Sequence, residues 1–280
     1  MYVDAHLHPA DYMDCCLSAG EPCGIFAQPV SFCCSAHDHS EYERQRVLLT
    51  EPRYQNQQIL FSFGIHPQKP DVDEAEFLYS LLETKRIHAI GECGFDAFND
   101  TYRETLPMQR TVWKIQLEWA QKFQLPVIIH CRKALPLIFE AASQLKRLPA
   151  VIFHGWGGSL QEAASFLKKG VNAYFSIGKA VLRGQKSVCA MAAHFDIHRL
   201  LTETDAPYMR LRKEPFTHPY DIIAVTALCA QLRKSGVDTV KQYDSSSAAI
   251  AGIRNGADAL NTFSATIMEN FYQAFGLTVR

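Results

Sequence analysis

Pro126-Val127-Ile128-Ile129-His130 is a short apolar run that ends in a histidine. A run of this length, apolar on both faces, reads as a strand buried in a parallel sheet. The same pattern recurs on either side of it. Gln58-Ile-Leu-Phe-Ser-Phe-Gly64 is another such run, and further candidate strands fall at 2–8, 23–30, 87–92, 149–153, 171–177 and 198–204. Helical stripes separate them. Phe77, Leu78, Leu81 and Leu82 form one. Met108, Val112, Ile115, Trp119 and Phe123, entered through Pro107, form a longer one. Ala134, Leu137, Ile138, Ala141 and Leu145 make a third, and Tyr220, Ile223, Ala224, Ala227 and Leu228 a later one. Ser159 and Glu162 have the spacing of a capping box ahead of Ala163, Phe166 and Leu167. Eight strands alternating with helices predict a (β/α)₈ TIM barrel, with a doubly wound open sheet as the competing arrangement. No linker divides the chain, so one domain over 1–280 is expected, with the polar stretch 236–256 as a surface excursion.

Composition narrows the class. With 280 residues, 48% of them apolar and 20% charged, the chain is globular rather than disordered. No apolar run is long enough for a membrane span, and Met-Tyr-Val-Asp at the start has no features of a signal peptide. A net charge of −1 argues against a broad nucleic-acid-coating surface but leaves room for a local basic site. The nine cysteines are odd in number and contain no C-x-x-C, so they read as reduced thiols of a cytoplasmic protein. Nothing here requires an oligomer; a monomer is compatible.

The ends of the candidate strands carry the chemistry. They are Asp4-Ala-His-Leu-His8, Gly64-Ile-His-Pro67, Gly91-Glu92, His130, His154 and Thr204-Asp205. In a parallel barrel these C-terminal ends converge on the face where active sites are built. Asp4, His6 and His8 alternate along strand 1 and so point to one side. Nitrogen and carboxylate ligands together suit Zn²⁺ or Mn²⁺, and Mg²⁺ less naturally. His6, His8, His130 and His154 with Glu92 and Asp205 thus make a binuclear set, with Glu92 as the bridge. Any one of these histidines alone is ordinary; six such ligands on one face are not. His37-Asp38-His39 serves as a contrast: it follows the second candidate strand by several residues, in polar loop, and reads as surface histidine. His66 reads equally as a phosphate contact or as a lock on the turn before Pro67. Asp4 and Glu203 are expected behind the ligands, with a salt bridge from Glu203 to Arg132 or a neighbour as the plainer role.

These residues bring the chain to a resemblance. Asp4–His8, Gly64–Pro67, Ala89-Ile-Gly-Glu-Cys-Gly-Phe-Asp96, Pro126-Val-Ile-Ile-His-Cys-Arg132, Phe153-His-Gly155 and Leu201-Thr-Glu-Thr-Asp-Ala-Pro-Tyr208 occur in the order of the TatD-like metal-dependent hydrolases. Glu269–Leu277 is similar to the family's terminal helix. The resemblance implies a TIM barrel of the amidohydrolase kind and divalent-metal-dependent hydrolysis of DNA phosphodiesters. By motif it places metal ligands at His6, His8, Glu92, His130, His154 and Asp205. The chain departs from the family at Lys133, where an acidic residue is usual, and at Ala97, where an aromatic is. It departs again in the Gly155-Trp-Gly-Gly158 turn and in the shortened Arg210–Pro215 segment.

The leading expectation is a deoxyribonuclease with two divalent ions per chain, Zn, Mn or Mg. Asp205 would orient the attacking water or take its proton, and Glu92 would join the ions. Arg132, Lys133, Lys179, Arg183, Arg210, Arg212 and Lys213 are candidate phosphate contacts, and Trp156 a candidate base-stacking residue. A metal-dependent amidohydrolase or esterase, including one for an aminoacyl ester on tRNA, is the alternative. A silent binding protein comes third.

Overall fold

In a computed structural model the described residues are 1–22, 24, 30–55, 57–237 and 257–277. The elements follow in the order β1 Tyr2–Leu7, α1 Pro9–Ala19, β2 Val30–Ala36, α2 His39–Leu48, β3 Gln58–Phe63, α3 Glu74–Glu83, β4 Ala89–Asp96, α4 Asp100–Glu104, α5 Leu106–Phe123, β5 Val127–Arg132, α6 Leu135–Glu140, α7 Ala142–Leu145, β6 Val151–Phe153, α8 Leu160–Lys168, β7 Ala173–Ile177, α9 Lys186–His194, β8 Leu200–Thr202, α10 Ile222–Ser235 and α11 Ala257–Ala274. The eight strands pair in parallel in the order of the chain, β1 through β8. The sheet closes on itself just beyond β8. There the Asp205 amide donates to His6 O at 3.0 Å and the His8 amide to Ala206 O at 2.8 Å. Asp4 strengthens this seam, accepting from the Thr204 amide at 3.0 Å and the Thr204 hydroxyl at 2.6 Å. The result is the expected TIM barrel, with its strand C-termini gathered at one mouth.

The second strand lies later than its apolar run suggests. Of the expected strand 23–30, residues 23 and 25–29 lie outside the described residues, and β2 occupies Val30–Ala36. Its sequence, Val-Ser-Phe-Cys-Cys-Ser-Ala, is buried throughout although two of its seven residues are serines. A search for aliphatic runs passes over such a strand. The barrel accepts it because Ser35 finds partners inside, bonding Ser62 Oγ at 2.7 Å and His6 Nδ1 at 3.0 Å. The shift places His37 at a strand mouth.

Helix α5 buries a different face from the aliphatic stripe. Met108 is exposed, whereas Gln109 and Gln116 are fully buried beside Val112, Trp113, Leu117 and Ala120. Each glutamine satisfies a free peptide group where a strand ends. Gln109 accepts from the Asp96 amide at 2.9 Å and donates to Asp96 O at 3.0 Å. Gln116 accepts from the Ile65 amide at 2.8 Å and donates to Ile65 O at 3.2 Å. Burying unpaired peptide groups would cost more than burying these amides. The same bonds fix the backbone beside His66 and Asp96. At α8 the expected capping box is present, with Ser159 and Glu162 each accepting from the other's amide. Such a cap contributes about 1 kcal/mol. The stretch 236–256 lies outside the described residues beyond Val237.

Candidate metal centre

Glu92 sits near the C-terminal end of β4, almost fully buried, at the centre of a ring of histidines. Around Oε2 lie His6 Nε2 at 3.2 Å, His37 Nε2 at 3.3 Å and His8 Nε2 at 3.7 Å. Around Oε1 lie His130 Nδ1 at 2.5 Å, His154 Nε2 at 2.7 Å and His66 Nε2 at 3.3 Å. Asp205 closes the ring on the β8 side, with Oδ1 at 3.7 Å from His6 Nε2 and 3.5 Å from His8 Nε2. All six residues expected as ligands therefore meet at the mouth, from β1, β4, β5 and the segments just after β1, β6 and β8.

The donor set fits divalent cations on its own chemistry. Six imidazole nitrogens crowd a carboxylate that offers about four lone-pair directions. Some face each other: His8 Nε2 is 3.1 Å from His6 Nε2, and His154 Nε2 is 3.4 Å from His130 Nδ1. Such pairs need a proton or a cation between them. His6, His8 and Glu92 have donor atoms within 4.8 Å of one another, as do His6, His154 and Asp205, and Glu92, His130 and His154. Nitrogen and carboxylate oxygen in this mixture suit Zn²⁺ and Mn²⁺.

The electrostatics follow from crowding. Burial pushes the Glu92 carboxyl up, but His154, His66 and His130 outweigh it and hold it well below the usual carboxylate range. Burial pushes His8 down, yet its contacts with Asp205 and Glu41 raise it well above an ordinary histidine. His154 behaves alike, lowered by burial and raised further by Glu92 and Glu203. His66 has no comparable compensation, and burial takes it down to about 3.

Residues behind the ring orient it. Glu203 Oε1 accepts from the Gly155 amide at 2.6 Å and lies 3.5 Å from His154 Nδ1. Its ion-pair neighbour is thus His154, one of the expected ligands, rather than Arg132. Asp4 holds the seam already described. Of the two roles expected for His66, the lock on the turn is present, with Nδ1 accepting from the Gln68 amide at 3.2 Å, while Nε2 faces Glu92 at 3.3 Å.

Three further participants join the ring or its support. His37, which reads in the sequence as surface histidine, belongs to the ring because β2 ends at Ala36. Glu41 accepts from the His37 amide at 2.7 Å and lies 3.4 Å from His8 Nδ1. Asp96 bonds His130 Nε2 at 3.0 Å. The sequence carries a signal for Asp96: Glu92, Gly94 and Asp96 alternate along β4 and share a face. It carries none for Glu41, whose place depends on how α2 packs.

Two residues expected to meet substrate are enclosed. Trp156 is 5% exposed and packs against Phe153 and Phe175, so it presents no ring face to a base. Its backbone amide bonds Ser176 O at 3.0 Å, drawing the turn onto β7. Lys179 is fully buried, held by Glu214 at 2.7 Å and Asp221 at 2.6 Å. It fastens the segment after β8 instead of meeting phosphate. Arg132, Lys133, Arg210 and Lys213 are exposed, as is Arg212.

A parallel barrel that collects histidine and carboxylate side chains at its C-terminal mouth defines a metal-centred barrel protein. The chain belongs to the family described as TatD related DNase, whose model matches residues 3–249. Over 211 residues it is 31% identical to the uncharacterized metal-dependent hydrolase YjjV of Escherichia coli (strain K12), covering 70% of this chain and 77% of that protein. Over 150 residues it is 33% identical to the 3′-5′ ssDNA/RNA exonuclease TatD of Pectobacterium parmentieri (strain WPP163). That match covers 52% of this chain, and the chain spans 57% of the exonuclease's length. The crystal structure of YjjV, a TatD homolog from Escherichia coli K12, superposes with a TM-score of 0.73 at 21% identity, covering 99% of this chain and 98% of that one. A TatD family hydrolase from Entamoeba histolytica gives 0.70 at 15% identity, over 99% and 98%. At these identities the structural likeness speaks for the fold. Among the described residues no helix is long and apolar enough to cross a membrane.

Proposed function

We propose that the protein is a divalent-metal-dependent phosphodiesterase of nucleic acid, with deoxyribonuclease activity as its leading form. The observation that carries this reading is the division of ligands about the two oxygens of Glu92. One ion would be held by His6, His8, Asp205 and Glu92, the other by Glu92, His130 and His154. When bound, the ions supply Lewis acidity toward water and a phosphoryl oxygen. The protein does the rest. Glu41 and Glu203 stand 3.4 and 3.5 Å from the outer nitrogens of His8 and His154, a placement that favours aiming the ligand nitrogens at the ions. Burial raises Asp205, but His8 outweighs it and keeps the carboxyl below its usual range, leaving an acceptor for the proton of the attacking water. His66 Nε2, and the exposed Arg132, Arg210, Arg212 and Lys213, meet the phosphates.

The test is metal-replete protein assayed side by side on single-stranded DNA, a simple phosphodiester and a panel of amides, with metal content measured at saturation. Phosphodiester turnover with two ions per chain is expected. Turnover of amides alone would overturn the reading in favour of an amidohydrolase.

A further inference from the structure

Phe98 is one of the exposed aromatics at the mouth. It is 42% exposed and follows the end of β4 by two residues. An exposed phenyl ring is common and by itself means little. This one is fixed and framed. Its amide donates to Asp96 Oδ1 at 2.8 Å, and the other oxygen of Asp96 bonds His130 Nε2. One carboxylate thus ties the Phe98 backbone to the proposed metal centre. Arg132 lies across the ring, its guanidinium carbon 3.6 Å from the ring centre, and Lys133 Nζ is 4.7 Å from the same point. Asp96 is register-paired with Arg132, and the Ala97 amide donates to Arg132 O at 2.8 Å, so the aromatic and the cations are set by the same ladder. Among the described residues neither Arg132 nor Lys133 has a carboxylate partner. Their charge is left for a ligand.

We propose that Phe98, with Arg132 and Lys133, is a stacking platform for an unpaired nucleobase beside the scissile phosphodiester. This rests on the nuclease reading and adds to it a base contact beside the proposed metal centre. A base in a duplex already spends both faces on its neighbours, whereas an unpaired base offers a π-face to an aromatic ring. The two cations polarise the ring and neutralise the phosphates flanking the stacked base. Trp156, enclosed in the barrel wall, cannot take this part. Tyr208, also exposed, has its hydroxyl committed to Asp11 at 2.6 Å.

The experiment compares the metal-loaded wild type with Phe98→Leu and Phe98→Trp. The substrates are a single-stranded oligodeoxynucleotide and an oligomer of the same length with abasic residues throughout. The readout is the ratio of kcat/KM on the two. Stacking predicts that Phe98→Leu lowers this ratio about fivefold or more, mainly through KM, and that Phe98→Trp restores it. An unchanged ratio in Phe98→Leu, or a fall that Phe98→Trp does not restore, overturns the platform and leaves the nuclease reading standing. A wild type that cleaves neither oligomer overturns the nuclease reading and the platform with it.

Discussion

Asp96 Oδ2 lies 3.0 Å from His130 Nε2, on the ring edge opposite the nitrogen that faces Glu92. Burial pushes Asp96 up, but His130, Gln68 and the Phe98 amide hold its carboxyl at about 2. A carboxylate in this position sets the ring's tautomer and aims Nδ1 at a cation. Asp96→Asn is expected to weaken divalent-metal affinity by about 10- to 100-fold with the fold intact. Competition against a chelating dye measures it; wild-type affinity would remove Asp96 from the centre.

Replacing Glu92 by Gln removes the charge shared by both proposed sites. The barrel should fold, since the side chain is surrounded by imidazoles and the ladder of β4 does not depend on it. Turnover should fall by more than the roughly 100-fold upper figure for residues behind the ligands. Near-normal turnover at full metal loading would sink its assignment as the bridge.

The raised positions of His8 and His154 mean that the metal-free centre carries protons near neutral pH. A cation must displace them, so apparent affinity falls as pH drops. Without a cation the stability effect has the opposite sign. Both groups lie above their unfolded value of about 6.5. Their contribution is complete below that pH and is lost as pH rises through the folded values. Chelator-treated protein should therefore melt at a lower temperature at mildly alkaline pH than at mildly acidic pH. Melting curves that move the other way would contradict the charge pattern of the ring.

Gly94 pairs in register with His130 and has φ +136°; a Cβ there would stand 2.1 Å from His130 O. Backbone cannot yield as a flexible side chain can. Gly94→Ala is expected to cost at least about 2 kcal/mol in thermal unfolding, and to lower metal affinity because His130 moves with its carbonyl. Unchanged stability would show that the two strands part without cost.

Arg210, Arg212 and Lys213 stand exposed on the segment that Lys179 anchors through Glu214. Their triple replacement by Ala should flatten the dependence of log DNA affinity on log salt, by roughly 0.7 for each phosphate left without its cation. Metal content should not change. Equal slopes in both proteins would take this segment out of the substrate site.

Much of the candidate centre can be read from the chain because several of its proposed ligands terminate strands made of aliphatic residues. His130 after Val-Ile-Ile and His154 after Val-Ile-Phe need no knowledge of packing. His37 is hidden for the converse reason: its strand contains serines and cysteines, and the place of Ser35 inside the barrel is satisfied by partners distant in sequence, Ser62 and His6. Glu41 and the buried face of α5 are hidden likewise. Gln109 and Gln116 look like solvent-facing residues until the peptide groups they satisfy are known. Side chains whose place is decided by a partner distant in sequence leave little trace in periodicity. The enclosure of Trp156 and Lys179 is the same lesson reversed, since both residue types are legible as substrate contacts and both are held by the barrel.

The seam between β8 and β1 has a consequence for biosynthesis. Asp4 and Thr204 stand 200 residues apart in sequence yet share two hydrogen bonds. Chain emerges from the ribosome in order, so His6 and His8 are in the open long before their last partner is made. A nascent chain that has reached only β7 has the early histidines and Glu92 but no Asp205, and its first strand has no neighbour on one side. Contacts this distant in sequence form late and slowly. The seam, and with it the proposed ligand set, can therefore form only after Thr204 and Asp205 have left the ribosome, and a cation captured earlier would sit in a half-made cage.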